Sequence, residues 1–209
     1  MVVNQTDRST LERTTGEKVH VIACGAIARE ILAVIEQSHL SHIELTCLPA
    51  IWHARPEKIA PGLADAIAQA RKNGAERIFI GYADCGTGGD IDTLCAREGV
   101  ERLDGPHCYS FFAGNEAFAA RWDEDVTAFF LTDFLARQFD AFVIEPLGLD
   151  RHPELRDIYF GNYTKLIYLS QQEDPDLQLR AEAAATYLGL AYEYRFTGYG
   201  DLAEELTRL

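Results

Sequence analysis

The sequence predicts an α/β fold: a mainly parallel sheet with helices on both faces, a Rossmann-like three-layer sandwich. Three observations predict it. Short apolar runs rich in β-branched residues alternate along the chain with longer stretches of helical spacing. Those runs are continuously apolar, the mark of strands buried on both sides. No internal repeat, low-complexity tract or linker breaks the alternation, so residues 19–209 are expected to form one domain.

Taken in order, Val19-His20-Val21-Ile22-Ala23-Cys24 reads as a buried strand, with Gly25 turning the chain into an amphipathic helix over 26–37. Residues 43–48 give a second strand. Residues 61–73 give a second helix, with Pro61 in its first turn. A third strand covers 77–82, a short helix 90–98 and a brief fourth strand 101–103. Residues 115–139 carry helical spacing, broken near 122–125. Ala141-Phe142-Val143-Ile144-Glu145 is expected as a fifth strand ended by Pro146, followed by a short helix around 153–160. A sixth strand at 165–169, a helix at 176–188, a last strand at 192–196 and a terminal helix at 200–209 complete the chain.

Composition narrows the function classes. With 209 residues the chain is long enough to bury a sizeable core. No apolar run approaches the roughly 20 residues that span a bilayer. Residues 1–18 are polar and lack the apolar core of a signal peptide, so a flexible lead-in and a cytoplasmic location are expected. The net charge of −14 sets the surface against phosphate backbones and anionic membranes, which excludes nucleic acid and membrane as expected partners. Five cysteines without an export signal point to thiols with metal-binding, catalytic or packing roles, not disulfides.

Three of those thiols share one topological address. In open α/β sheets ligands bind beyond the carboxyl ends of the strands. Cys24 ends the first strand, Cys85 follows the third in Asp84-Cys85-Gly86-Thr87-Gly88-Gly89, and Cys108 follows the fourth in Gly105-Pro106-His107-Cys108-Tyr109. Each alone fits core packing, since free cysteine is among the most buried residues. Their coincidence points to a shared site. Zinc, with three protein ligands and one open position, satisfies the count, and His53 or His107 offers a fourth ligand. An iron–sulfur cluster with one open iron fits as well, as does a lone thiolate activated by a helix N-terminus. Cys95, inside a helix, is assigned to packing; Cys47, one residue before the end of the second strand, is left open between rim and core, with the strand's alternation favouring the core.

Other groups near the same rim are weaker candidates. Gly86, Thr87, Gly88 and Gly89 form a turn between strand and helix that could present N–H groups to an anion, or simply turn the chain. His53 and Arg55 follow the second strand and could orient a small-molecule substrate. Glu145 ends the expected fifth strand and adds a carboxylate.

Ile22-Ala23-Cys24-Gly25-Ala26, the Cys85 and Cys108 motifs and Gly161-Asn162-Tyr163 together resemble an uncharacterised family, catalogued as a domain of unknown function. Its members are often encoded beside corrinoid-dependent methyltransferases of the trimethylamine type. The resemblance runs from about Val19 to the C-terminus and implies a setting in one-carbon metabolism, with a corrinoid protein or methyltransferase as partner. Ser110 departs from the pattern, because the family's cysteine–tyrosine motif continues with glutamate. The expectation is a metal-thiolate protein acting in or beside corrinoid- and folate-linked methyl transfer. The rivals are a non-catalytic accessory protein and a metal-free enzyme for a small anionic substrate; a homo-oligomer is open in each case.

Overall fold

A computed structural model describes residues 18–209, and the lead-in expected over 1–18 lies, Lys18 apart, outside the described residues. The β-branched apolar runs form strands that pair only in parallel, and they divide into two sheets where one was expected. Sheet one holds β1 (Val19–Cys24), β2 (Ile43–Leu48), β3 (Arg77–Gly81) and β4 (Glu101–Arg102) in the order β2-β1-β3-β4. Val19 lies opposite Ile43 on one side and Arg77 on the other, so the three main strands start level. Sheet two holds β5 (Ala128–Leu131), β6 (Lys165–Ser170) and β7 (Ala191–Phe196) in sequence order.

Helices α1 (Ala28–Gln37), α2 (Ile59–Lys72) and α3 (Asp90–Glu98) connect the strands of sheet one. Both faces of that sheet are covered, as continuous apolar strands require. Val19, Val21 and Ala23 face a cluster with Ile31 and Val34 of α1, while Ile22 and Ile80 face Leu63 and Ile67 of α2 and Ile91 of α3. In sheet two, Leu131, Leu166 and Tyr168 pack on α7 (Asp133–Arg137), α8 (Arg156–Phe160) and α9 (Pro175–Leu188). Asp174 caps α9 by accepting from the N–H groups of Asp176 and Leu177 at 3.0 and 3.2 Å, and Pro175 occupies its first turn.

The sheets are joined by α4 (Cys108–Ala113), a single short helix with two working faces. Phe111 and Phe112 belong to the core of sheet one. Tyr109 and Ala113, on the other side, pack against Ala128, Ile167 and Leu169 of sheet two. The chain then runs through α5 (Asn115–Ala120) and α6 (Trp122–Asp125) into β5. After β7 it returns, and α10 (Gly200–Arg208) lays Leu202 and Leu206 into the core of sheet one. Burying each leucine contributes roughly 2 kcal/mol.

Two expectations fail in the middle of the chain. The fifth strand is Ala128–Leu131, inside the stretch expected to be helical, and the expected strand at 141–145 is a π-helical turn, Asp140–Ile144. Four to five apolar residues do not reveal by pattern alone whether they are extended or coiled. The helix α4 follows Gly105-Pro106 and is too short to show a period, so it reads as loop in the sequence.

Gly200 opens α10 at φ +49°, and a Cβ there would run into the carbonyl oxygens of Phe111 and Phe112 on α4. Gly198, at φ +60°, has open space around it. Gly200→Ala should therefore cost roughly 2–4 kcal/mol, strain and overlap together, and Gly198→Ala only the strain of roughly 1–2 kcal/mol. Urea midpoints at unchanged slope test this. Equal losses in the two variants would mean that α10 does not press on α4.

Candidate functional site

The carboxyl ends of β1 and β3 and the start of α4 bring three cysteines to one place. Cys24 is the last residue of β1, and its sulfur accepts a weak hydrogen bond from the Ala26 N–H at 3.4 Å. The exit of β3 is zipped to the loop before α4. The Asp84 N–H donates to the Gly105 carbonyl at 3.1 Å, and the Cys85 N–H to the Pro106 carbonyl at 2.9 Å. That pairing sets Cys85 beside Cys108. Cys85 itself sits at φ +50°, a left-handed conformation that costs a side-chain-bearing residue roughly 1–2 kcal/mol. Strain of this kind collects where a side chain must be aimed.

The three thiols sense one another. Burial pushes Cys24 above the ordinary thiol range, against the opposing pull of the Ala26 N–H. Burial, then the proximity of Cys24, pushes Cys85 up to about 12. Cys108 is raised well above the ordinary range by burial, with Cys85 and Cys24 adding to it. All three are therefore neutral thiols at physiological pH. A thiolate enzyme needs the opposite shift.

Two tyrosines that the sequence reading did not single out complete the environment. Tyr82, directly after β3, is buried, and burial followed by Cys24 and Cys85 pushes its phenol far up. Its hydroxyl is close enough to Cys24 to interact electrostatically, yet it makes no hydrogen bond of good geometry. Tyr109 is likewise pushed up by burial and by Cys108, and it stacks on Phe130 of β5 at 5.5 Å. The legible signal for both was position, since each adjoins a strand end or a motif cysteine. A cleft of about 20 Å³ opens here between the sheets, lined by Ile27, His53, Cys108, Tyr109, Thr132 and Phe134. That is room for about one water or ion.

The remaining candidates separate. His53 lines the mouth of the cleft while remaining exposed, and the desolvation of its ring there draws its pKa down. Arg55 is exposed beyond it. His107 caps α4: its Nδ1 accepts from the Ser110 N–H at 3.3 Å, while its ring lies 5.1 Å from Phe118 and 5.3 Å from Tyr109. With Nδ1 accepting, the hydrogen-bond pattern assigns the ring proton to Nε2, so this His107 has no lone pair left for a metal. Ser110 is buried and donates to Asn115.

Glu145 is not brought to the thiols. It lines a separate cavity of about 570 Å³ with Arg137, Asp140, Arg180 and Tyr187, because the expected strand before it is a π-helical turn. Cys95 is buried in α3, as expected, whereas Cys47 is exposed on the edge strand β2 and does not pack.

The glycine-rich turn has its donors engaged. The N–H groups of Gly88 and Gly89 and the Thr87 hydroxyl all donate to the Asp84 carboxylate, at 3.3, 2.8 and 3.0 Å. Burial alone would raise the Asp84 pKa, but these donors outweigh it and hold the carboxyl below its usual value. An internal carboxylate thus occupies the place an external anion would take. Among the described residues no three His, Cys, Asp or Glu side chains are already disposed to hold a metal ion.

Fold and site together define a parallel α/β protein in which Cys24, Cys85 and Cys108, each half-buried, lie near one another at the strand ends of sheet one. The family model described as Protein of unknown function (DUF1638) matches residues 47–206, and the chain belongs to that family. Cys85 and Cys108 fall inside the matched region, and Cys24 precedes it. No curated protein and no solved structure matches the chain.

Asp84→Ala should loosen the loop that carries Cys85 and cost roughly 1–3 kcal/mol, because several N–H and O–H donors lose their acceptor. The wild-type loop carries a matching pH signature. A depressed carboxyl pKa gives stability that is present above the unfolded value, about pH 4, and lost as pH falls through the folded one. Acid unfolding of the two proteins checks it. Superimposable acid limbs would rule out this role for Asp84.

Proposed function

We propose that this chain is a metal-thiolate protein in which Cys24, Cys85 and Cys108 bind a soft cation, and that it acts in or beside corrinoid- and folate-linked methyl transfer. One observation carries the metal half of this reading. Three thiols from β1, the β3 loop and α4 converge where burial and mutual repulsion keep them protonated. Such thiols are poor nucleophiles by themselves, and a soft divalent cation is what converts them to thiolates. The adjoining cleft, about 20 Å³, suits one zinc ion better than an iron–sulfur cluster. When bound, zinc with an open position would supply Lewis-acid activation of a thiol or another small nucleophile.

The chain's own residues would do the rest. His53, neutral and at the cleft, is placed to accept a hydrogen bond from a small-molecule substrate, and Arg55 to steer an acidic group toward it. Tyr109 and Phe134 keep water out. His107 stays with its helix cap and takes no part. The methyl-transfer setting, with a corrinoid protein or methyltransferase as partner, is supported by the motif resemblance and by no feature of the geometry.

A second reading is a non-catalytic accessory protein that uses its metal structurally, which a closed four-ligand site would favour and an open coordination position in a pocket would not. The anionic-substrate reading is weakened by the turn whose donors already serve Asp84.

Elemental analysis of protein purified without oxygen separates zinc, iron and no metal. About one zinc per chain is expected. Serine at Cys24, Cys85 or Cys108 should remove most of it from protein that remains folded by circular dichroism. Cys95→Ser should keep the metal and cost only roughly 1–3 kcal/mol, because it buries a hydroxyl without an assured partner. Metal-free parent protein, or equal metal loss across all four variants, would sink the metal reading in its catalytic and structural forms alike and leave the metal-free one.

A further inference from the structure

A second buried polar cluster bridges the two sheets beside the thiol cleft, and no step above uses it. Glu30 lies in the first turn of α1, at the exit of β1, and is 2% exposed. Asp133 opens α7, at the exit of β5, and is 0% exposed. Each carboxylate spends one oxygen well. Glu30 Oε1 accepts from Arg137 at 3.2 Å, and Asp133 Oδ1 accepts from the Tyr168 hydroxyl at 2.7 Å and the Gln171 N–H at 3.1 Å. Glu30 Oε2 and Asp133 Oδ2 are buried without a hydrogen-bond partner. The two groups are near enough to repel each other.

The charge count does not close. Two carboxylates face one guanidinium, Arg137. The other charged neighbour on α1, Arg29, is exposed, and β6 contributes only the neutral phenol of Tyr168. From α9, Arg180 lines the same cavity as Arg137 but belongs to the exposed rim. An uncompensated buried charge is costly enough that a group takes up a proton instead. The residues around the pair are also those of the cleft: Ile27 precedes Glu30, and Thr132 and Phe134 flank Asp133.

We propose that Glu30 and Asp133 together carry one proton beside Arg137, on one carboxyl or the other, forming a pH-responsive latch that closes the seam over the thiol cleft. With the proton in place the seam is neutral, and α1 and α7 stay together. When the proton leaves to solvent, a net negative charge remains in the seam, the two helices repel and the cleft opens. Burial raises both carboxyl pKa values, with Arg137 opposing. Raised pKa values mean stability that is complete below the ordinary carboxylate range, about pH 4, and lost as pH rises through the folded value. This sign is opposite to that of Asp84. The latch does not depend on what the cleft binds.

The test compares the full wild-type chain with Glu30→Gln and Asp133→Asn, each a neutral mimic of the protonated pair. Asp133→Asn keeps an oxygen for Tyr168 and Gln171, so it serves if Glu30→Gln fails to fold. Urea unfolding and hydrogen exchange, corrected for intrinsic rates, are followed from about pH 4 to about pH 9. The folded-to-unfolded ratio of the variant should gain on wild type as pH rises, roughly tenfold for each unit by which the pair is displaced. Wild-type exchange in segments 26–31 and 132–137 should speed up over the same range, and the variant's should not. A variant-to-wild-type difference that is flat with pH, or segments that open equally in both proteins, would overturn the latch.

Discussion

The structure depends on one helix packing in two directions at once. The six residues of α4 give Phe111 and Phe112 to sheet one and Tyr109 and Ala113 to sheet two. Consecutive residues on a helix point about 100° apart, so a helix this short can serve two cores only if nearly every position is buried. That leaves it little room to slide. Cys108, its first residue, is fixed by the same packing, and so is the distance from the β3 loop that carries Cys85. The thiol cluster is thus a by-product of how the two sheets are held together.

That origin explains the character of the site. A seam between two cores is dry, and a dry seam favours neutral forms. The thiols and the phenols of Tyr82 and Tyr109 are all held uncharged by burial before any other influence acts. The acidic surface of the protein does not extend into it. At the edge of the seam the tendency meets its limit in Glu30 and Asp133, whose carboxyl groups are packed where a charge is poorly tolerated.

Much of this was legible in the sequence, and the failures have physical causes. The strands β1, β2, β3 and β6 announce themselves as short, mostly apolar runs, and the positions of Cys24, Cys85 and Cys108 relative to the strands follow from those runs. The exchange of Ala128–Leu131 for 141–145 was not legible, because Ala-Phe-Phe-Leu and Ala-Phe-Val-Ile have nearly the same local preference. Tertiary context decided, and it carried Glu145 away from the site. The division into two sheets hangs on α4, a helix without a visible period. The role of His107 lies in one hydrogen bond accepted from a backbone N–H, and that of Asp84 in several accepted from the turn after it, which no residue pattern encodes.

The return of α10 has a consequence for how the molecule comes into being. Its Leu202 and Leu206 complete the core that contains Val19 and Val21. The cover of β1, the earliest strand among the described residues, is therefore completed by the latest helix. Until α10 is made, the face of sheet one under α1 and α4 lacks the two leucines that complete its cover. A nascent chain carries that face throughout synthesis, a matter of roughly 10 s or more at ordinary elongation rates. During that interval the early half is a client for chaperones, and a stalled chain presents a ready surface for aggregation.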